Sequence, residues 1–282
     1  MKNKITIILA IFAVYNTALF AQDGDWADEK KDWADKESSS SSKFFAGINV
    51  GALIVNSNTA VIYTGTNDIT PYGINYLLSV PTYKTTFDAY FQYDYSVSEF
   101  PQNPAYKTAL DIGLHAGMNF GEGNAIFIDI NSSKLNYENT FTVAIDQPSN
   151  QTIDSTYEQI PIFGKEKRFN LNLGTQLSLF HAEKSNFYWS FFGNFNSIKL
   201  NRNYIVIDNK EYEIIHSNAQ LTTKEPGGIG YGAGSGLGFK YKLTNNITAD
   251  FTYNLYYIKT KMNDAIQGFG INHGITFRLI WN

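Results

Sequence analysis

From residue 43 to the end of the chain, apolar and polar positions alternate with a period of two, the repeat of a β-strand whose two faces meet different surroundings. Eight segments carry the pattern. In the first, residues 44–55, Phe44, Ala46, Ile48, Val50, Ala52 and Ile54 oppose Phe45, Gly47, Asn49 and Gly51. In the second, Leu110, Ile112, Leu114, Ala116, Met118 and Phe120 oppose Asp111, Gly113, His115, Gly117 and Asn119, before Gly121-Glu122-Gly123 reverses the chain. Ile126, Ile128 and Ile130 then face away from Asp129 and Asn131, and Phe169, Leu171, Leu173, Leu177 and Leu179 from Asn170, Asn172 and Gln176. The fifth segment sets Phe187, Trp189, Phe191 and Phe195 against Tyr188, Ser190, Phe192 and Asn194. The sixth, GGIGYGAGSGLGFKYK at 227–242, places glycine at every second position from Gly228 to Gly238. Residues 247–257 and 271–281 complete the set, and His273 is the misfit on the last apolar face.

Long strands, apolar on one face and polar on the other, joined by tight turns at one end and long connections at the other, predict an all-β transmembrane antiparallel up-and-down β-barrel with its apolar face in lipid. Eight strands are expected. Ten is the alternative, should 86–97 and a partner near 60–63 also span. The long connections, 56–106, 138–166 and 200–227, are too long to be structureless. Within them, 86–97 alternates like a strand, and 204–215 reads as a hairpin turning at Asp208-Asn209-Lys210.

The N-terminus changes the picture. Lys2 and Lys4 precede an apolar run from Ile5 to Val14, and Ala18 and Ala21 suit cleavage, so residues 1–21 read as a signal peptide. Residues 22–42 read as an acidic periplasmic leader, with Trp26 and Trp33 in a repeated Asp-Trp-Ala-Asp and a serine tether at 38–42; residues 43–282 form the barrel. A mean hydropathy of -0.25 conceals this segregation by face. Cleavage leaves 20 basic and 26 acidic residues, which argues against nucleic acid as a partner. Without cysteine there is neither a disulfide nor a lipidated N-terminus.

The ending Phe277-Arg278-Leu279-Ile280-Trp281-Asn282 resembles the assembly signal of small Gram-negative outer-membrane barrels of OmpA/OmpX-like architecture. Its aromatic stands one residue before the end, a departure that looks like Bacteroidota barrels. The resemblance implies an outer-membrane location, contact with outer-membrane lipid and both termini in the periplasm.

The glycine strand poses a packing question. An eight-stranded barrel has room only for side chains. With the turn centred near Asn245, Gly234 faces Tyr256, Gly236 faces Asn254 and Gly238 faces Thr252, so inward aromatics such as Tyr256 and Phe192 are expected to lie over the glycine track. A ligand cleft is the alternative. The same register joins Lys240, Asp250 and Arg278 in an inward charge cluster that locks closure.

Chemistry is sparse. No two histidines share a face at ligand spacing, so neither a metal nor another cofactor is expected. His216 and His115 are the candidates for an outer-leaflet lipid- or peptide-modifying enzyme, and a narrow-lumen transporter is the other alternative. The favoured reading is a non-catalytic binding or scaffold component, a subunit of an envelope complex or a surface adhesin. Its protein partner would meet Phe87, Tyr90, Phe91, Tyr93, Tyr95, Tyr204 and Tyr212 on the outer loops, with a periplasmic partner at Trp26 and Trp33 as a further option.

Overall fold

The computed structural model describes residues 44–66, 68–70, 72–121, 123–147, 156–216 and 226–282. The signal peptide and the leader, with Trp26 and Trp33, lie outside them. The strands are β1 (Phe44–Ile54), β2 (Tyr95–Glu99), β3 (Ala109–Phe120), β4 (Asn124–Ile145), β5 (Thr156–His181), β6 (Ser185–Ile207), β7 (Lys210–Glu213), β8 (Gly227–Lys242), β9 (Ile247–Lys261) and β10 (Gln267–Trp281). Two helices, α1 (Ile74–Ser79) and α2 (Pro81–Phe91), follow a 3-10 turn at Ala60–Thr64.

Pairing is antiparallel throughout and runs β1–β3–β4–β5–β6–β8–β9–β10 and back to β1, closing a wall of eight strands with no free edge. The two remaining strands, β2 and β7, add only to the far parts of β4 and β6. The wall therefore has eight strands and not ten. Three short turns close one end, where Gly121 and Gly123 take positive φ; this is called the turn end.

The wall's two faces have opposite chemistry. Leu114 is 61% exposed and Phe195 58%, within a continuous outward band that includes Ile48, Ile128, Leu173, Leu237, Leu255 and Ile275. Asn49, Asp111, His115, Asp129, Asn131, Asn172, Asn194, Asn254 and Arg278 are buried inside. A water-soluble barrel would require the reverse, so the band is a lipid-facing belt.

A membrane strand needs about 9–11 residues, yet β4, β5 and β6 have 22, 26 and 23. The excess explains the connections expected at 138–166 and 200–227: most of those residues are strand. The alternation also changes phase. In β4 the outward series passes from Ile126, Ile128 and Ile130 to Ser132, Lys134 and Asn136, while the inward series passes from Asp129, Asn131 and Ser133 to Leu135 and Tyr137. The same reversal occurs in β5 at Phe169/Lys167 and in β6 at Phe195/Ser197. Polarity flips because lipid gives way to water outside while the interior becomes an ordinary protein core.

Beyond the flip, β2-β4-β5-β6-β7 form an open sheet, and the 3-10 turn, α1 and α2 pack on its inner face. Their shared core contains Tyr63, Ile74, Leu77, Phe87, Phe91, Tyr137, Phe141, Val143, Ile160, Ile162, Ile205 and Tyr212. We call this assembly the cap. Residues 86–91 are thus helical, not strand as their alternation suggests: Pro81 starts α2, and Phe87 and Phe91, four apart, share its buried side. The hairpin at 204–215 forms as expected, with Asp208 and Asn209 both at positive φ, as a two-residue turn requires.

Candidate functional site

Three sets of residues concern function: the lumen, the joint between lumen and cap, and the cap's surface. In the lumen Arg278 joins two strands across the barrel. Its Nη2 donates to Asp129 Oδ2 at 3.1 Å and its Nη1 to Asp250 Oδ2 at 3.2 Å and Thr252 Oγ1 at 2.7 Å. Asp129 also binds His115 Nδ1 at 2.6 Å and accepts from Asn49 at 3.2 Å, and Tyr188 donates its hydroxyl to Asp250 at 2.8 Å. Both carboxylates are therefore saturated.

The expected cluster of Lys240, Asp250 and Arg278 is corrected in one member. Lys240 stands opposite Asp250 in register, but its Nζ donates to Gln176 and lies 5.1 Å from the Tyr188 ring. The Tyr188 hydroxyl occupies the place beside Asp250 expected for the lysine, and Asp129 joins the cluster through Arg278. Asp129 was visible as an inward polar residue, but nothing in sequence spacing brings it to Arg278, 149 positions away.

The register of the glycine hairpin is as expected: Gly234 pairs with Tyr256, Gly236 with Asn254 and Gly238 with Thr252. The rings over the track are not all those expected. Phe192 covers Gly234 and Tyr188 covers Gly238, whereas the atoms nearest a side chain at Gly236 belong to Asn254 and Ser190. The Tyr256 ring leans the other way, so that a methyl at Gly274 would lie 3.1 Å from its Cε2. Phe192 and Tyr256 meet edge to face at 5.2 Å, which lets one site hold two rings.

At the joint, Arg168 of β5 donates through Nε to Glu166 at 2.6 Å and through Nη2 to Thr59 at 2.9 Å. Tyr106 donates to the other oxygen of Glu166 at 2.5 Å and lies under the Arg168 guanidinium at 5.5 Å. Thr59 and Tyr106 belong to the β1–β3 connection, so this ion pair pins the cap to the wall. Sequence reasoning passed over it, because Glu166 closed a segment read as loop, 138–166, and Arg168 fell between that segment and the strand read from Phe169.

On the cap, Tyr90 and Tyr93 are exposed and Tyr95 is half-buried. Phe87, Phe91, Tyr204 and Tyr212 are inside it, packing sheet to helix, so they present no surface to a partner. Tyr90 donates to Glu158 at 2.6 Å, which lifts its phenol to about 12. Burial and then Asp88 lift Tyr95 to about 12. His216 Nε2 accepts from the Asn203 side-chain amide at 2.8 Å, and burial draws its imidazole down to about 4. His115 is enclosed in the lumen. His273 faces the belt and meets the Tyr253 hydroxyl at 2.7 Å, which satisfies its misplaced polarity. Among the described residues no group of three His, Cys, Asp or Glu side chains could hold a metal ion.

Among the described residues β2 is paired on one side only. Asp146 N donates to Asp94 O at 2.8 Å, so by alternation Ser96 points its peptide groups at β4 while Tyr95 and Val97 point theirs away. Beside that edge is a shallow cavity of about 380 Å³, lined by Asn75, Leu78, Ser79, Lys84, Asp94, Tyr95, Ser96 and Val97.

A closed, lipid-belted wall with a polar packed lumen defines a small transmembrane β-barrel of the outer-membrane kind. No family model and no curated protein matches the chain. Solved structures similar to it include Neisserial surface protein A, at 9% identity and a TM-score of 0.38, covering 84% of this chain and 96% of that one. The attachment invasion locus protein Ail of Yersinia pestis matches at 9% and 0.34, over 85% and 97%, and OprG of Pseudomonas aeruginosa at 10% and 0.36, over 84% and 92%. TM-scores this low support no comparison of individual residues.

Proposed function

We propose that the chain is a non-catalytic outer-membrane protein whose cap stands outside the cell and binds a protein partner along the open edge of β2. The orientation follows the rule that such barrels keep short turns in the periplasm and their elaborations outside. It puts the turn end, with Phe44 and Asn282, in the periplasm. The observation that carries the binding role is the edge at Tyr95 and Val97, unpaired among the described residues and bordered by a cavity. An extended segment can add there as a further strand, with tyrosines supplying amphipathic contact. At the sheet's other end, β7 reads Lys-Glu-Tyr-Glu, a charged edge of the kind that discourages pairing. Catalysis has less support: His216 is held neutral against Asn203, and His115 is enclosed.

The test is Val97→Pro, which removes an outward N–H without touching the ladder to β4. Partners that co-purify with the wild type from native membranes are expected to be lost, with heat-modifiable gel mobility retained. An unchanged set of partners rejects β2 as the binding edge.

A further inference from the structure

Where the alternation changes phase, the outer wall carries a row of lysines. Lys134 of β4 stands directly opposite Lys167 of β5, and Lys167 directly opposite Lys199 of β6. All three are exposed and point outward. The row immediately below them on the same face is Ser132, Phe169 and Ser197, and the next is Ile130, Leu171 and Phe195, already within the belt. The lysines thus mark the first step out of hydrocarbon, at the depth of lipid headgroups.

Such a row is unfavourable in isolation. Directly opposed residues on neighbouring strands hold their Cβ atoms about 4.5–5.5 Å apart, and like charges at that spacing repel. The row above repeats the sign, with Asn136, Lys165 and Arg202 in register. Among the described residues the nearby acids are committed elsewhere: Glu138 to Lys107, Glu211 and Glu213 to Arg202, and Glu166 inward to Arg168. Among the described residues, no carboxylate forms an ion pair with Lys134 or Lys167. The counter-charge that this depth supplies outside the wall is lipid phosphate, and Ser132 and Ser197 add hydroxyl donors just beneath it.

We propose that Lys134, Lys167 and Lys199, with Ser132 and Ser197, form a binding site for the phosphate of an outer-leaflet glycolipid headgroup. The choice of leaflet rests on the orientation proposed above. The site holds the barrel at a fixed depth and neutralises Lys134 and Lys167, whose opposed charges otherwise repel.

Purified barrel in dodecylmaltoside is titrated with monophosphorylated lipid A, its phosphate-free counterpart, phosphatidylglycerol or inorganic phosphate, and thermal unfolding is followed by heat-modifiable gel mobility. Monophosphorylated lipid A is expected to raise the midpoint of the wild type by several degrees, and the other three to have little effect. The triple variant K134Q/K167Q/K199Q is expected to fold and lose the shift, and K134R/K167R/K199R to keep it. A shift that survives in the glutamine variant, or that phosphate-free lipid reproduces, overturns the site. An equal shift with phosphatidylglycerol overturns the glycolipid as its ligand, and one with inorganic phosphate overturns a lipid ligand altogether. Should the glutamine variant fail to fold, loss of the shift in K134Q and in K167Q singly decides the matter. Protease access to the cap on intact cells reports orientation separately, and Val97→Pro is expected to leave the lipid shift intact.

Discussion

Arg278, 3% exposed, satisfies Asp129 and Asp250 on two different strands, so removing it leaves two buried carboxylates without their cation. Arg278→Met is expected to cost about 3–5 kcal/mol, measured as a lower urea midpoint for loss of heat-modifiable mobility. Arg278→Lys should recover little, because a single ammonium cannot reach both acids as the guanidinium fork does. The glycine track gives a second residue-scale prediction. A Cβ at Gly234 collides with the Phe192 ring and lies 2.7 Å from the carbonyl oxygen of Leu255. Gly234→Leu should therefore destabilise by roughly 1–3 kcal/mol and Phe192→Ala by roughly 3–5 kcal/mol. The double mutant should recover part of both losses, and pairing Gly234→Leu with Tyr256→Ala should recover none. The same gel assay separates the pairs. The register of this hairpin was legible because a tight turn sets it. Which ring leans over which glycine was not, since Tyr256 faces Gly234 by register yet its ring rests against Gly274.

The cap shows where periodicity misleads. In 86–97 the aromatics satisfy a two-residue and a four-residue repeat alike, and the helix prevails because an apolar sheet face, Phe141, Val143, Ile160 and Ile205, lies beneath it. A legible signal was missed in β4–β6, where the phase reversal near Ser132, Lys167 and Ser197 already marks strands leaving the membrane. The cap also titrates. His216 is its only histidine, and burial holds it near 4 against an ordinary value of about 6.5. The folded cap keeps the ring neutral while an unfolded cap binds a proton, so cap stability is complete above about pH 6.5 and falls as pH drops toward 4. The loss is at most about 3–4 kcal/mol, reached only below pH 4. Limited proteolysis of the cap should accelerate from pH 7.5 to pH 4.5 in the wild type and change much less in His216→Gln.

For the whole molecule, the lumen is blocked by the Arg278 network and by Phe45, Phe127, Phe192 and Tyr256, and the cap core lies above it. Purified protein in planar bilayers should show no steady conductance above leak. An ohmic conductance would mean that the lumen is not packed as described. Removing the joint should loosen the cap without opening the barrel: Arg168→Met leaves Glu166 and Tyr106 without their cation, and cap proteolysis should rise while gel mobility stays heat-modifiable.

The identity of the wall strands, the outward apolar belt and the hairpin registers were determined by the sequence, because each depends on a repeat of two and on tight turns, both local properties of the chain. The joining of Asp129 to Arg278 and of Tyr188 to Asp250, the choice of eight wall strands over ten, the burial of Phe87, Phe91, Tyr204 and Tyr212, and the cap itself were decided by tertiary structure. They depend on closure, which brings β4 and β10 to opposite sides of one lumen, and on strands long enough to carry a second core beyond the lipid. No local pattern specifies which inward side chains then meet across the space that closure creates.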